Sequence, residues 1–300
     1  MPADWIAAHG LVPKRIVPAS TGAADQMSGA CPFVEDAREA GIRIFTTTCD
    51  QARRTSEAAP DAFLMNVPHT VTPAAHRLYR DELARLSGWL VANGGTAPDG
   101  DTLVATLRAY EDARAALRAA RGAMSGRAWA RAAAEFQASG RPEFAPTNGS
   151  APRRAVPIAL VGGPLWGPHD AIYGIVEDNG GEVALDGTEA GERGLPGPYD
   201  RRRLADDPVG EMADAHFGAI PDAFRRPNDG LYRWLKAGFA ERSVRGVLFV
   251  RCVWCDLWHA ELARLKEWAE IPVVDVDLNG EKGELGRTET RIQALLDAIR

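Results

Sequence analysis

The chain has 300 residues, of which 45% are hydrophobic and 25% are charged. This length suits two domains, and this composition is that of a folded globular protein, which excludes a small disulfide scaffold, a fibrous repeat and a wholly disordered chain. The 35 basic and 41 acidic residues leave a net charge of −6. Because the longest basic run is only Arg201-Arg202-Arg203, a surface that tracks nucleic-acid phosphates is not indicated.

The sequence also lacks the marks of membrane insertion and of secretion. No apolar run approaches the roughly 20 residues that a helix needs to cross a bilayer. The residues from Met1 to Trp5 lack the basic and apolar regions of a signal peptide. We therefore expect a cytoplasmic protein that binds neither membrane nor nucleic acid. Its four cysteines are too few and too clustered for a disulfide framework, which favours metal or redox chemistry.

Short β-branched runs alternate with amphipathic stretches up to residue 67, as they do in parallel α/β layers. This pattern predicts strands at residues 14–18, 42–47 and 62–67, and helices at residues 33–40 and 50–58. From residue 73 to residue 139 apolar side chains recur at helical spacing. Three helices fit this segment, with breaks near Gly94-Gly95 and Gly122 and with Ser125 as the N-cap of the third helix.

Residues 141–154 are rich in proline and other turn formers, which predicts an exposed connector to a second α/β half. In that half we predict strands at residues 156–161, 182–185, 246–250 and 271–275, and helices at residues 169–179, 256–269 and 288–299. A long loop is expected at residues 188–208, and residues 211–240 are expected to be mostly helical. The sequence thus predicts two parallel-sheet domains, at residues 1–145, with the helical segment 73–139, and at residues 155–300.

Three of the four cysteines occupy the same kind of position, at the start of a predicted helix. Cys31 precedes Pro32, Cys49 follows the strand at 42–47, and Cys255 follows the strand at 246–250 and precedes Asp256. Ligand sites of open α/β sheets form at the carboxyl ends of strands, and helix N-terminal amides favour the thiolate form. The sequence therefore places three potential thiolate ligands where they can meet in one cleft.

Several interpretations of the cysteines are open at this point. Cys252 and Cys255 form a C-x2-C pair that suits a redox dithiol. Cys31, Cys49, Cys255 and His259 suit a zinc site, although they lack the two matched pairs common in structural zinc sites. Cysteines are also often small buried core residues. An iron–sulfur cluster takes cysteine thiolates, and a set of three leaves one iron open to a non-protein ligand.

A resemblance to one family emerges from short segments in a fixed order. The segments are Cys31-Pro32-Phe33-Val34, Thr48-Cys49-Asp50-Gln51, Cys255-Asp256 with Trp258, Ile271-Pro272-Val273, Arg287-Thr288 and Thr290-Arg291-Ile292. They resemble the 2-hydroxyacyl-CoA dehydratase and benzoyl-CoA reductase family, and within it a shortened subunit like the D-component of the dehydratases. The resemblance extends from about residue 9 to the end of the chain.

The resemblance implies two stacked flavodoxin-like α/β domains that hold a four-iron four-sulfur (4Fe–4S) cluster, or a double-cubane cluster in one branch of the family. It implies that Cys31, Cys49 and Cys255 are the cluster ligands. Cys252 is then a spare core residue, a fourth ligand or a contact to an altered cluster.

The same resemblance implies one-electron reductive chemistry on an acyl-CoA thioester, as a lyase or an oxidoreductase subunit. A separate ATP-dependent iron–sulfur activator would supply the electron, and a ketyl radical of the thioester would let the 2-hydroxyl group leave. The expected assembly is a dimer with a paralogous subunit or with a second copy of this chain. The alternatives are a non-catalytic cluster-bearing or scaffold subunit and a double-cubane reductase of small molecules.

Three further features lie near predicted strand ends. His69 follows the strand at 62–67, where it can reach the same cleft as a proton donor to a leaving hydroxide, or can simply cap a turn. Gly162-Gly163-Pro164 ends the strand at 156–161 and can bring backbone amides near a CoA phosphate. Trp254 and Trp258 flank Cys255, where they would shield a cluster or fill a core.

Overall fold

The computed structural model describes residues 1–18, 31–36, 41–145, 155–165, 167–279 and 283–300. The strands in these ranges are β1 (Ile44–Thr46), β2 (Phe63–Met65), β3 (Val156–Gly162), β4 (Gly181–Gly187), β5 (Gly246–Cys252) and β6 (Val273–Leu278). The helices are α1 (Ala3–Ala8), α2 (Pro32–Asp36), α3 (Asp50–Glu57), α4 (Pro73–Ala92), α5 (Gly100–Ala120), α6 (Gly126–Ser139), α7 (Ala171–Asp178), α8 (Arg201–Asp206), α9 (Pro208–Ala213), α10 (Asp229–Glu241), α11 (Asp256–Trp268) and α12 (Glu284–Ile299). None of the helices in these ranges is both long and apolar enough for a membrane crossing.

All the described strands pair in parallel, in two sheets. β1 pairs with β2, and the other four strands form a sheet in the order β4-β3-β5-β6. Counted from β3, this order is 2-1-3-4, which is the order of a flavodoxin-like sheet. The predicted parallel α/β fold is therefore confirmed, and the first half contributes the smaller of the two sheets.

The apolar pattern located most elements correctly. The strands predicted at 42–47, 62–67, 156–161, 182–185, 246–250 and 271–275 correspond to β1 through β6 in turn. The three helices predicted between residues 73 and 139 are α4, α5 and α6. Each begins where a side chain accepts a backbone N–H from three residues later, at Thr72, at Asp99 and, as predicted, at Ser125.

The structure corrects the prediction of a strand at residues 14–18. These residues form neither a helix nor a strand, and they pair with no strand within the described ranges. Pro13 and Pro18 border the segment, and neither can donate to a β-ladder. The helix predicted at 33–40 is described only as α2, because residues 37–40 lie outside the described ranges, as do residues 146–154 of the connector.

The predicted loop at residues 188–208 is also corrected, because it contains a helix. The Asp200 carboxylate accepts the backbone N–H groups of Arg202 and Arg203 and so starts α8. The arginine triplet therefore lies in a capped helical turn. Residues 211–240 are helical only in part, since the π-helical turn Asp214–Gly218 is followed by irregular backbone up to residue 228.

The larger sheet is buried on both faces, as parallel sheets usually are. On one face Leu160 and Leu248 pack with Ile292 and Leu296 of α12. On the other face Val247, Phe249 and their neighbours pack against α10 and α11. Helices pack on both faces of the sheet, and ligand sites of such sheets form at the carboxyl ends of the strands.

The two halves of the chain share a core. Leu83 of α4 and Leu107 of α5 pack in one cluster with Tyr199, Met212 and Phe217 from the second half. Helices α8 and α9 and the π-helical turn therefore cover the helical segment of the first half. Sequence reasoning had not placed these elements together, because the contact joins residues far apart in the chain.

A buried polar cluster reinforces this shared core. The fully buried Asp4 accepts hydrogen bonds on Oδ2 from Arg114 Nη1 (3.0 Å), from the Tyr199 hydroxyl and from His216 Nε2 (3.2 Å). Burial alone would raise the pKa of Asp4, but His216, Arg114 and Tyr199 outweigh burial and hold it well below its ordinary value. Burial lowers the pKa of His216, so Arg114 supplies the positive charge at neutral pH. The cluster ties α1, α5 and the segment around Tyr199 together.

The substitution Asp4→Asn removes the negative charge without changing the size of the side chain. We expect it to lower the free energy of unfolding by about 3–5 kcal/mol, because the buried Arg114 then loses its ion pair with Asp4. Urea unfolding measures the change. The control is Asp112→Asn on the same helix as Arg114, which breaks the exposed pair with Arg201 and should cost less than about 1 kcal/mol. Equal effects of the two substitutions would contradict the role of Asp4.

The same cluster predicts a loss of stability in acid. Because the pKa of Asp4 is lower in the folded chain than in the unfolded chain, ionised Asp4 stabilises the fold above its unfolded pKa of about 3.9. This contribution is lost as the pH falls below about 4 towards the folded pKa. The wild-type chain should therefore lose more stability than Asp4→Asn between pH 5 and pH 3, as followed by thermal unfolding; parallel curves would rule this out.

Candidate functional site

The cysteines lie at the carboxyl ends of parallel strands or at the first residue before a helix. Cys49 directly precedes α3 and Cys255 directly precedes α11, while Cys31 directly precedes α2. Cys252 is the last residue of β5, which is longer than the sequence predicted. The helix starts expected for Cys31, Cys49 and Cys255 are thus those that the structure has.

The fold brings these four residues into one region. The thiols of Cys31 and Cys252 are hydrogen-bond partners, and Cys255 interacts electrostatically with both Cys31 and Cys49. Cys252 is buried, whereas the other three are partly exposed. The structure therefore places one buried thiol near three partly exposed thiols. The segments that carry them are up to 224 positions apart in the sequence.

The surroundings oppose the accumulation of negative charge on these sulfurs. Burial, together with the charges of Cys31, Cys49 and Asp222, raises the pKa of Cys255 to about 11, against a hydrogen bond from the Trp258 amide. The contact with Cys31 and burial raise the pKa of Cys252. The hydrogen bond from Cys252 in turn lowers the pKa of Cys31 against the effect of burial. As thiolates these sulfurs repel one another unless a positive centre lies between them.

One residue that sequence reasoning had not singled out links the cysteine segments. Gln51 Oε1 accepts the backbone N–H of Cys31 (2.6 Å), and Gln51 Nε2 donates to the backbone carbonyl of Trp254 (2.9 Å). Gln51 is the second residue of α3, two positions after Cys49. In the sequence Gln51 is visible only as the last residue of the Thr48-Cys49-Asp50-Gln51 segment, which does not reveal its distant partner.

The buried side chain of Arg193 packs on Trp258, three residues after Cys255. The guanidinium carbon of Arg193 lies 4.8 Å from the centre of the Trp258 ring, and Arg193 Nη1 pairs with Asp222 at 2.5 Å. Its Nε donates to the backbone carbonyl of Gly187 (2.8 Å). Arg193 is 1% exposed, so it holds Trp258 against the sheet one turn after Cys255. Trp258 is therefore a core residue beside the cysteines.

Gly163 and Pro164 do not offer the backbone amides that were expected near a CoA phosphate. The N–H of Gly163 donates to the backbone carbonyl of Val250 (3.1 Å), and Pro164 has no N–H, so these two residues offer no amide to a phosphate. A Cβ on Gly162, whose φ is +148°, would lie 1.8 Å from the Val250 oxygen. The glycines allow β3, β5 and Trp258 to approach closely.

His69 lies at the same sheet edge as Cys49. The N–H of Val67 donates to Thr47 Oγ1 (2.9 Å), which joins the segments that follow β1 and β2. The His69 ring is exposed and packs edge-on against Phe224, with 6.4 Å between the ring centres. The backbone carbonyl of His69 accepts the N–H of Arg226 (2.8 Å). His69 thus belongs to a contact between the two halves of the chain.

The geometry does not favour the zinc interpretation. His259 Nδ1 lies 2.6 Å from Nη1 of Arg251, which is also paired with Asp277 at 2.7 Å. A guanidinium at that nitrogen opposes a metal cation there. Among the residues that the structure describes, no three histidine, cysteine, aspartate or glutamate side chains converge as the ligands of one metal ion would.

Parallel strands that carry cysteines at their carboxyl ends define a class of α/β protein with a thiol-based site. Within that class, the sequence model of the 2-hydroxyglutaryl-CoA dehydratase D-component family matches residues 1–299. The chain therefore belongs to this family, which confirms the resemblance of the cysteine segments and makes it a 2-hydroxyacyl-CoA dehydratase-like subunit. No curated protein matches the chain.

Proposed function

We propose that this chain is the iron–sulfur subunit of an enzyme that dehydrates a 2-hydroxyacyl-CoA thioester. The observation that carries the proposal is the grouping of Cys31, Cys49 and Cys255 with Cys252 in a member of the D-component family. Cys31, Cys49 and Cys255 are the proposed cluster ligands.

The donor set suits a cluster better than a single ion. Ligands of one ion must all converge on one point, and no such group of three is present in the described part of the chain. In a 4Fe–4S cluster each thiolate binds a different iron, so the sulfurs can surround the centre at a greater mutual separation. The raised pKa of Cys255, caused by burial and by neighbouring negative charge, is the effect that a bound positive centre would offset.

When bound, the cluster would supply single electrons and an iron open to an oxygen ligand. The chain's own residues prepare the site. The backbone amide of Trp258 in α11 hydrogen-bonds to the Cys255 sulfur, which partly opposes the rise in its pKa, and Cys252 hydrogen-bonds to the Cys31 sulfur. Trp258, held by Arg193, limits the access of water beside Cys255. His69 is the proposed proton donor to the leaving hydroxide.

The proposal includes partners that the reaction requires. The electron comes from an ATP-dependent iron–sulfur activator, and the substrate is an acyl-CoA thioester. The subunit is proposed to work as a dimer, with a paralogous subunit or with a second copy of the chain. Binding of an acyl-CoA to the reconstituted protein and its partner, followed by electron paramagnetic resonance, separates the enzyme from a scaffold subunit; no binding would reject the substrate class.

Single Cys→Ser substitutions test the ligand set. The wild-type chain, purified without oxygen, should carry about four irons per chain, measured by iron and sulfide analysis. Cys31→Ser, Cys49→Ser and Cys255→Ser should each lose most of this iron, because serine is a poor ligand for a cluster. Cys252→Ser is the matched control and should retain the iron. Equal loss in Cys252→Ser would overturn the proposed ligand set.

The substitution His69→Gln tests the proton donor. We expect kcat to fall by about 100-fold or more, with an unchanged iron content and an unchanged affinity for the thioester. Turnover of a 2-hydroxyacyl-CoA by the activated enzyme is the measurement. The control is His76→Gln on α4, which breaks the contact with Asp214 (3.3 Å) and should keep kcat near that of the wild type. A wild-type kcat in His69→Gln would eliminate this role.

A further inference from the structure

Three chain segments carry the candidate ligands, and one side chain bonds to two of them from the third. Gln51 belongs to the segment of Cys49. Its carbonyl oxygen accepts from Cys31 (2.6 Å) and its amide nitrogen donates to Trp254 (2.9 Å), in the turn between Cys252 and Cys255. These partners are 20 and 203 positions away in the sequence.

Within the described residues, neither backbone group has a partner in a helix or a strand. Cys31 precedes the first residue of α2, and the N–H groups at a helix start have no partner within the helix. Trp254 lies between the end of β5 and the start of α11, in a turn closed by the bond from the Cys255 N–H to the Cys252 carbonyl (2.9 Å). Gln51 therefore provides the partner for the Cys31 N–H and for the Trp254 carbonyl. Each of these groups lies in a different cysteine segment.

Only a side-chain amide of this length can make both bonds. The Cys31 N–H requires an acceptor and the Trp254 carbonyl requires a donor, which also fixes the orientation of the Gln51 amide. A glutamate keeps the acceptor but has no donor when ionised, and a methionine of similar length has neither. We propose that Gln51 is a positioning residue, whose amide sets the spacing between Cys31 and the Cys252–Cys255 turn and so the geometry of the thiol set.

The effect of Gln51 on a bound cluster rests on the proposed function. The effect of Gln51 on the spacing of the thiols does not. Two measurements therefore test the inference. In the cluster-free full-length chain, the bifunctional thiol reagent dibromobimane should cross-link the partly exposed Cys31 to the Cys252–Cys255 turn through the partly exposed Cys255, and peptide mapping identifies the product. In the iron-loaded chain, an iron chelator removes the cluster at a measurable rate.

Gln51→Met should lower the yield of the cross-link several-fold and speed the loss of iron by about 10–100-fold, the usual range for residues that orient metal ligands. Gln51→Glu keeps the bond to Cys31 and loses the bond to Trp254, so its effects should be intermediate. The matched control is Gln137→Met. Gln137 is also half-buried, accepts from Arg15 (2.7 Å) and donates to the carbonyl of Ala190 (2.8 Å), but it bonds to no cysteine segment.

Each outcome decides the inference. A cross-link yield in Gln51→Met equal to that of Gln137→Met and the wild type would overturn it. Faster loss of iron with unchanged cross-linking would also overturn it, because the effect would then not act through the spacing of the thiols. If Gln51→Met fails to fold by circular dichroism, Gln51→Glu is judged by the same two criteria. A wild-type chain that binds no iron would refute the proposed function, and the cross-link alone would then decide the role of Gln51.

Discussion

The central constraint on this molecule is the repulsion among sulfur atoms held close together in a partly buried site. Cys31 and Cys252 are in contact, and Cys255 responds to the charges of Cys31 and Cys49. Their thiolates are stable together only if a positive centre compensates their charge or if most of them stay protonated. A scaffold that gathers such groups must therefore be rigid, because no attraction among the thiolates themselves holds them in place.

The fold supplies this rigidity at several distances from the sulfurs. Parallel strands direct their carboxyl ends to one edge of each sheet, and helices α3 and α11 begin there. Arg193 and Trp258 brace the turn after β5, while Gln51 spans the cysteine segments. Further away, the two halves of the chain are held together by the shared core of α4, α5 and α9 and by the buried carboxylate of Asp4. Membership of the D-component family identifies the chain with this arrangement as a 2-hydroxyacyl-CoA dehydratase-like subunit.

Errors of sequence-based prediction arose where local pattern and tertiary environment disagree. Residues 14–18 have the composition of a strand but pair with no strand within the described ranges. The glycine pair at Gly162 has the look of a phosphate loop, yet its role is the close approach of β3 and β5. The glycines and prolines of residues 188–208 predict a loop that includes the arginine triplet at 201–203, although Asp200 caps a helix there. In the first two cases the deciding partner lies outside the local window, whereas the Asp200 cap is a local signal that the glycines and prolines around it outweighed.

The sequence by itself determined what depends on neighbouring residues: the parallel α/β pattern, the three helices with the Ser125 N-cap, and the position of Cys31, Cys49 and Cys255 at helix starts. These features follow from side-chain periodicity and from hydrogen bonds that span a few residues. Only the tertiary structure decided that Cys252 contacts Cys31, that Gln51 reaches Trp254, and that Tyr199 meets Asp4. Such contacts join residues that are distant in the chain, and packing of the whole core selects them, so no local pattern in one sequence encodes them.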